Sequence, residues 1–121
     1  MTGVVVSGRK KGRLLGFPTA NIRALSDLTV GPGIYAGHVI IGKTKYQSAL
    51  YLSGDLPAQA GKVVEAFIFD FSGNLYGKEV KVEILKKIRN KRDFKSTAEA
   101  ISQITKDVLE IKEFLQIPLK K

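Results

Sequence analysis

Val63-Val64-Glu65-Ala66-Phe67-Ile68-Phe69-Asp70 is the stretch from which the fold is read. Its β-branched and aromatic residues suit a pleated strand. Period-two alternation sets Val63, Glu65, Phe67 and Phe69 on one face and Val64, Ala66 and Ile68 on the other. Outward from it, similar short runs recur at Val4–Ser7, Ile34–Ile41, Lys45–Leu52 and Glu79–Lys87, separated by turn residues. No helical periodicity intervenes. That excludes parallel βαβ units and favours an antiparallel barrel, closed or nearly closed, as the economical way to hide strand edges. One helix follows over about 96–115. Ser96 and Glu99 form a capping box, and Ile101, Ile104, Val108, Ile111 and Leu115 make an apolar stripe that should pack on the barrel. Residues 117–121 read as a frayed tail.

The 121 residues suit one domain, 1–121, with the barrel over about 1–90. With no cysteine and only His38, disulfides, thiolate metal sites and histidine clusters are excluded, so any chemistry comes from oxygen, amide and cationic groups. The N-terminus has the short apolar run Val4-Val5-Val6 and no long signal-like segment, and no later run approaches a membrane span. The expectation is a soluble, cytoplasmic protein with no membrane partner. A formal charge of +9 suits nucleic acid, an acidic membrane or polyphosphate substrates alike. The cations crowd at positions 9–13 and at Lys86, Lys87, Arg89, Lys91, Arg92 and Lys95, in segments that read as loops or strand ends. No run of interleaved aromatics offers a base-stacking platform, so nucleic acid is not the expected partner.

Gly16-Phe17-Pro18-Thr19-Ala20-Asn21 carries the chemistry. A hydroxyl and an amide flank one residue there, both hard oxygen donors suited to Mg2+, which takes few protein ligands beside nucleotide phosphates. Upstream, Gly8-Arg9-Lys10-Lys11-Gly12-Arg13 joins flexible backbone to cationic side chains, the makings of a phosphate lid. Gly37-His38-Val39-Ile40-Ile41-Gly42-Lys43-Thr44 matches a P-loop in form only. Its inner positions are strand-like and another strand follows, so Gly42-Lys43 reads as a hairpin turn and His38 as a strand-face residue. Glu65, an acid on an aromatic face, is either a general base or a rim carboxylate paired with a lysine. Ser72-Gly73-Asn74 is ordinary turn chemistry, and Arg89 meets either a phosphate or solvent.

Taken in order, Gly8, Gly12-Arg13, Gly16-Phe17-Pro18-Thr19-Ala20-Asn21, Gly33-Ile34-Tyr35-Ala36, Val64-Glu65, Asp70-Phe71, Leu75-Tyr76-Gly77-Lys78, Ile88-Arg89, Phe94, Gln103-Ile104 and Asp107 resemble the riboflavin kinase family. This is the module that also forms the C-terminal half of bacterial bifunctional riboflavin kinase/FAD synthetases. The resemblance implies an all-β, six-stranded antiparallel Greek-key-type barrel with a C-terminal helix, and transfer of the ATP γ-phosphoryl group to the ribityl 5′-hydroxyl of riboflavin, giving FMN. It assigns Glu65 as catalytic base and Thr19 and Asn21 as ligands of Mg2+, replaceable by Zn2+ or Mn2+. It also assigns Gly8, Lys11, Gly12, Arg13, Gly16, Phe17, Pro18, Thr19 and Asn21 to the nucleotide, and Arg89 and Phe94 to the flavin. ATP and riboflavin are the implied partners, with the protein a monomer, or a domain or partner of an FAD synthetase.

Two departures stand out. Between Leu52 and Ala58 the chain reads Leu-Ser-Gly-Asp-Leu-Pro-Ala where relatives read close to Asn-Ile-Gly-Thr-Arg-Pro-Thr, and Phe67 stands where some relatives carry His. With no adenylyltransferase segment before residue 1, the expected product is FMN. The competing reading is a non-catalytic flavin- or nucleotide-binding module of the same fold.

Overall fold

The computed structural model describes residues 1–6, 17–26, 28–52 and 62–116. Among them, six strands precede one helix: β1 (Thr2–Val6), β2 (Ala20–Ala24), β3 (Gly33–Ile41), β4 (Thr44–Leu52), β5 (Val63–Ile68), β6 (Glu79–Arg89) and α1 (Thr97–Gln116). All pairings are antiparallel, and the order β1-β2-β5-β4-β3-β6 closes on itself through β1 and β6. No described strand is left with a bare edge. The barrel and its C-terminal helix are as the sequence implied.

Alternation along each strand sorts the residues into two cores. Ile22, Val39, Leu50, Val64, Ala66 and Val82 fill the barrel interior. Ile34, Ala36, Ala49, Tyr51 and Phe69 face outward and are covered by Ile104, Val108 and Ile111 of α1. The β3–β4 hairpin turns at Gly42-Lys43, with Gly42 at φ 62. The P-loop match is therefore a strand and a turn. His38 is a strand-face residue whose Nδ1 lies 3.1 Å from Oε1 of Glu83 on β6. Gly37 is required by close approach, because a Cβ there would run into the Glu83 carbonyl oxygen.

Helix α1 starts where the capping box placed it. Ser96 Oγ accepts from the Glu99 N–H at 3.1 Å, while Glu99 Oε1 reaches back to the Lys95 N–H at 2.9 Å, one residue before the usual position. At the other end, Gln47 Nε2 donates to the Leu115 carbonyl at 3.2 Å, satisfying an orphan acceptor. The stripe differs from expectation at one point. Ile101 is 39% exposed, and its place is taken by Ala100, because the face that follows Ile104, Val108 and Ile111 passes one position to its side.

Other boundaries moved too. β2 is a strand that hydrophobic periodicity did not find, β1 begins at Thr2, and β6 runs two residues past Lys87 to Arg89, so Lys86, Lys87 and Arg89 form the end of a strand. Residues 117–121 lie outside the described residues. No helix among the described residues is long and apolar enough to cross a membrane.

Candidate active site

Glu65 belongs to a row that crosses the outer face of the barrel. Asn21 on β2 pairs with Glu65 on β5, Glu65 with Tyr51 on β4, Tyr51 with Ile34 on β3, and Ile34 with Arg89 on β6. Their interior neighbours Ile22, Val64 and Leu50 point the other way. Directly opposed antiparallel residues stand about 5 Å apart at Cβ, so Asn21 and Glu65 are immediate neighbours. Arg89 lies three strand spacings from Glu65, about 14 Å around the barrel. Glu65 is 6% exposed.

Beside this row, at the mouth of the barrel, opens a cleft of about 550 Å³. Its lining comes from Pro18, Thr19 and Asn21, from the ends of β1 and β5, and from the 71–76 turn. That turn is shaped by local chemistry. Asp70 takes φ 59, and Asn74 Oδ1 accepts from the Tyr76 N–H at 2.9 Å. It leaves the Tyr76 ring 66% exposed near the cleft. Turn chemistry alone predicts a hairpin here, but β5 and β6 do not pair: β5 lies between β2 and β4 and β6 between β3 and β1, so the turn carries the chain across the barrel. The volume falls within the range of small-molecule sites.

Phe17 leaves the cleft and stacks on the outer face of β5, its ring centroid 5.0 Å from that of Phe67. Of the other sequence-predicted nucleotide residues, Gly8, Lys11, Gly12, Arg13 and Gly16 lie outside the described residues, as does the atypical loop from Ser53 to Ala58.

Arg89 and Phe94 come together at the opposite end of the row, with residues the sequence reading gave no role. Arg89 Nε and Nη2 both donate to Asp107 Oδ2 at 2.8 Å, and Gln103 Nε2 donates to Oδ1 at 3.0 Å. Asp107 is 2% exposed, a carboxylate buried inside the apolar face of α1 and matched on both oxygens. Arg89 Nη1 also reaches the Asn90 carbonyl at 3.1 Å. The Phe94 ring lies 5.6 Å from the Arg89 guanidinium and 5.1 Å from that of Arg92, which donates to Gln103. Arg89 is thus tied to α1 and to the segment that follows it. Nearby lysines also lie on rings, Lys86 over Phe114 and Lys112 over Phe69.

Among the described residues no group of three or more His, Cys, Asp or Glu could hold a metal. Thr19 and Asn21 bring two hard oxygen donors to the cleft lining, which also holds Ser72 and Asn74 of the 71–76 turn. Two such ligands fit an ion that arrives with a phosphate ligand and keeps its water, as Mg2+ does.

Comparisons with known proteins identify the family and the fold. A bifunctional riboflavin kinase/FMN adenylyltransferase of Haemophilus influenzae is 40% identical over 93% of this chain and 37% of its own length. The chain spans less than two-fifths of the curated relatives it matches, 39% and 37% in two cases. A riboflavin kinase structure from Trypanosoma brucei superposes with TM-score 0.68 at 26% identity, over 97% of this chain and 79% of that one. A Streptococcus pneumoniae structure named as a macrolide-efflux protein superposes with TM-score 0.81 at 30% identity, over 92% of this chain but 37% of that one. A family model, Flavokinase (riboflavin kinase), matches residues 1–115. With that match over nearly its whole length, a closed barrel carrying Glu65 beside Asn21, and a cleft walled by Thr19, the chain belongs to the riboflavin kinase family.

Proposed function

We propose that this chain is a riboflavin kinase, moving the γ-phosphoryl group of ATP to the ribityl 5′-hydroxyl of riboflavin to give FMN and ADP. The observation that carries the reading is the cross-strand pairing of Asn21 with Glu65 beside a cleft that Thr19 and Asn21 line. Glu65 takes the proton of the 5′-hydroxyl as its oxygen bonds to the γ-phosphorus and the bond to the ADP oxygen breaks. The Thr19 hydroxyl and the Asn21 amide would hold a Mg2+ ion brought by the nucleotide, which would supply charge neutralisation at the phosphates. The rest of the task is in-line positioning, which rigid strands provide well.

On the flavin side, Arg89 acts through structure. Its guanidinium is engaged by Asp107 and orders the 90–95 segment, where Phe94 offers a ring to the flavin. The closed barrel leaves no described edge strand for pairing with another copy, which supports a monomer, working alone or as one module of an FAD synthetase. The need for ATP makes the cytoplasm its compartment.

Glu65→Gln tests the assignment, since it keeps shape and removes the base. Turnover should fall by about 10²- to 10⁴-fold while riboflavin binding, Mg·ADP binding and the unfolding midpoint hold. Unchanged turnover would remove Glu65 from this role.

A further inference from the structure

We propose that Phe67 is a positioning residue for the metal–nucleotide end of the site, acting through Phe17 to fix Thr19 relative to Glu65. The inference rests on the kinase reading above and extends it to a pair of rings outside the reacting groups. The β2–β5 ladder holds Asn21 against Glu65 and ends at Ala20 opposite Ala66. Residues 17–19 lie beyond it. Thr19, on the cleft wall, therefore lacks the ladder support that fixes Asn21.

The ring contact begins where the ladder stops. Phe17 packs on Phe67 with centroids 5.0 Å apart at an interplanar angle of 37°. Phe67 meets Phe69 edge-on at 5.1 Å and 80°. Phe69, 5% exposed, is embedded in the outer core with Ile104, Val108 and Ile111 of α1. A continuous run of rings thus ties the segment before Thr19 to the rigid body of the protein. Phe67 lies two residues from Glu65 on the same face, so one strand carries both the base and the anchor.

An aromatic pair of this kind supports a change of roughly three- to tenfold in an equilibrium constant when its stacking is lost. Phe67→Leu should raise the Mg·ADP dissociation constant, read by calorimetry, by that factor. The KM for Mg·ATP should rise in parallel, with the KM for riboflavin moving less than twofold. Phe67→Tyr, which keeps the ring, should restore wild-type values. Phe17→Leu should weaken Mg·ADP binding similarly, and the double variant should be no worse than the weaker single one, because both remove the same contact. Phe17→Leu also keeps the test standing if Phe67→Leu does not fold, since Phe17 lies outside the strand. Normal Mg·ADP affinity in folded Phe67→Leu, or a change carried by riboflavin instead, would overturn the inference while leaving the kinase reading intact. A folded wild type that neither binds Mg·ADP nor forms FMN would overturn both.

Discussion

Removing the carboxylate of Asp107 should be among the most damaging single changes in this protein. Asp107 is 2% exposed and takes two hydrogen bonds of 2.8 Å from Arg89 and one of 3.0 Å from Gln103. In Asp107→Ala the Arg89 side chain, 17% exposed, keeps its charge and loses its counter-charge. Leaving one member of a buried pair alone costs about 3–5 kcal/mol. Against a total stability of about 5–15 kcal/mol, that is a large share. For a chain of this size it corresponds to a fall in Tm of about 10–25 °C. Urea and thermal unfolding followed by circular dichroism measure it directly. The double variant Arg89→Met/Asp107→Leu fills the same space without charge and should recover most of the loss. A stability change below about 1 kcal/mol in Asp107→Ala, or a double variant as unstable as the sum of its parts, would refute the reasoning.

Three further outcomes follow from the fold. Gly37→Ala places a methyl against the Glu83 carbonyl and should cost about 1–3 kcal/mol in urea unfolding, with Glu65-dependent chemistry unaffected where the protein stays folded. Ser96→Ala removes the acceptor for the Glu99 N–H and should cost about 1 kcal/mol, which Ser96→Asp should largely restore. Burial raises the Tyr35 phenol above its ordinary value, and its O–H donates to the Gly31 carbonyl at 2.6 Å. The folded state therefore holds this proton more tightly than the unfolded chain. Its contribution to stability is complete below the unfolded value near 10 and is lost as pH rises through the higher folded value. Alkaline unfolding of Tyr35→Phe should lack that component.

The strands that wear their alternation openly were legible in the sequence, and so was Glu65, because an acid between Val63 and Phe67 on one face is conspicuous. The hairpin at Gly42-Lys43 was legible for the same local reason. β2 was not. In Ala20-Asn21-Ile22-Arg23-Ala24 only Ile22 is fully buried, and the strand is held by its neighbours β1 and β5 rather than by its own pattern. Asp107 was recognised only within a family resemblance, because a search for apolar stripes passes over a buried carboxylate whose partner is 18 residues earlier on another element. The cleft depends on chain closure. Asn74 and Ser72 announce a turn, but only the assembled barrel brings that turn into one cleft with Thr19.

The most direct measurement is product formation: purified protein with riboflavin, ATP and Mg2+, FMN separated chromatographically, and a chelated control. FMN that forms with Mg2+ and fails to form without it is the predicted result. A folded protein that binds riboflavin and Mg·ADP yet makes no FMN would contradict the assignment of phosphoryl transfer to the Thr19, Asn21 and Glu65 constellation.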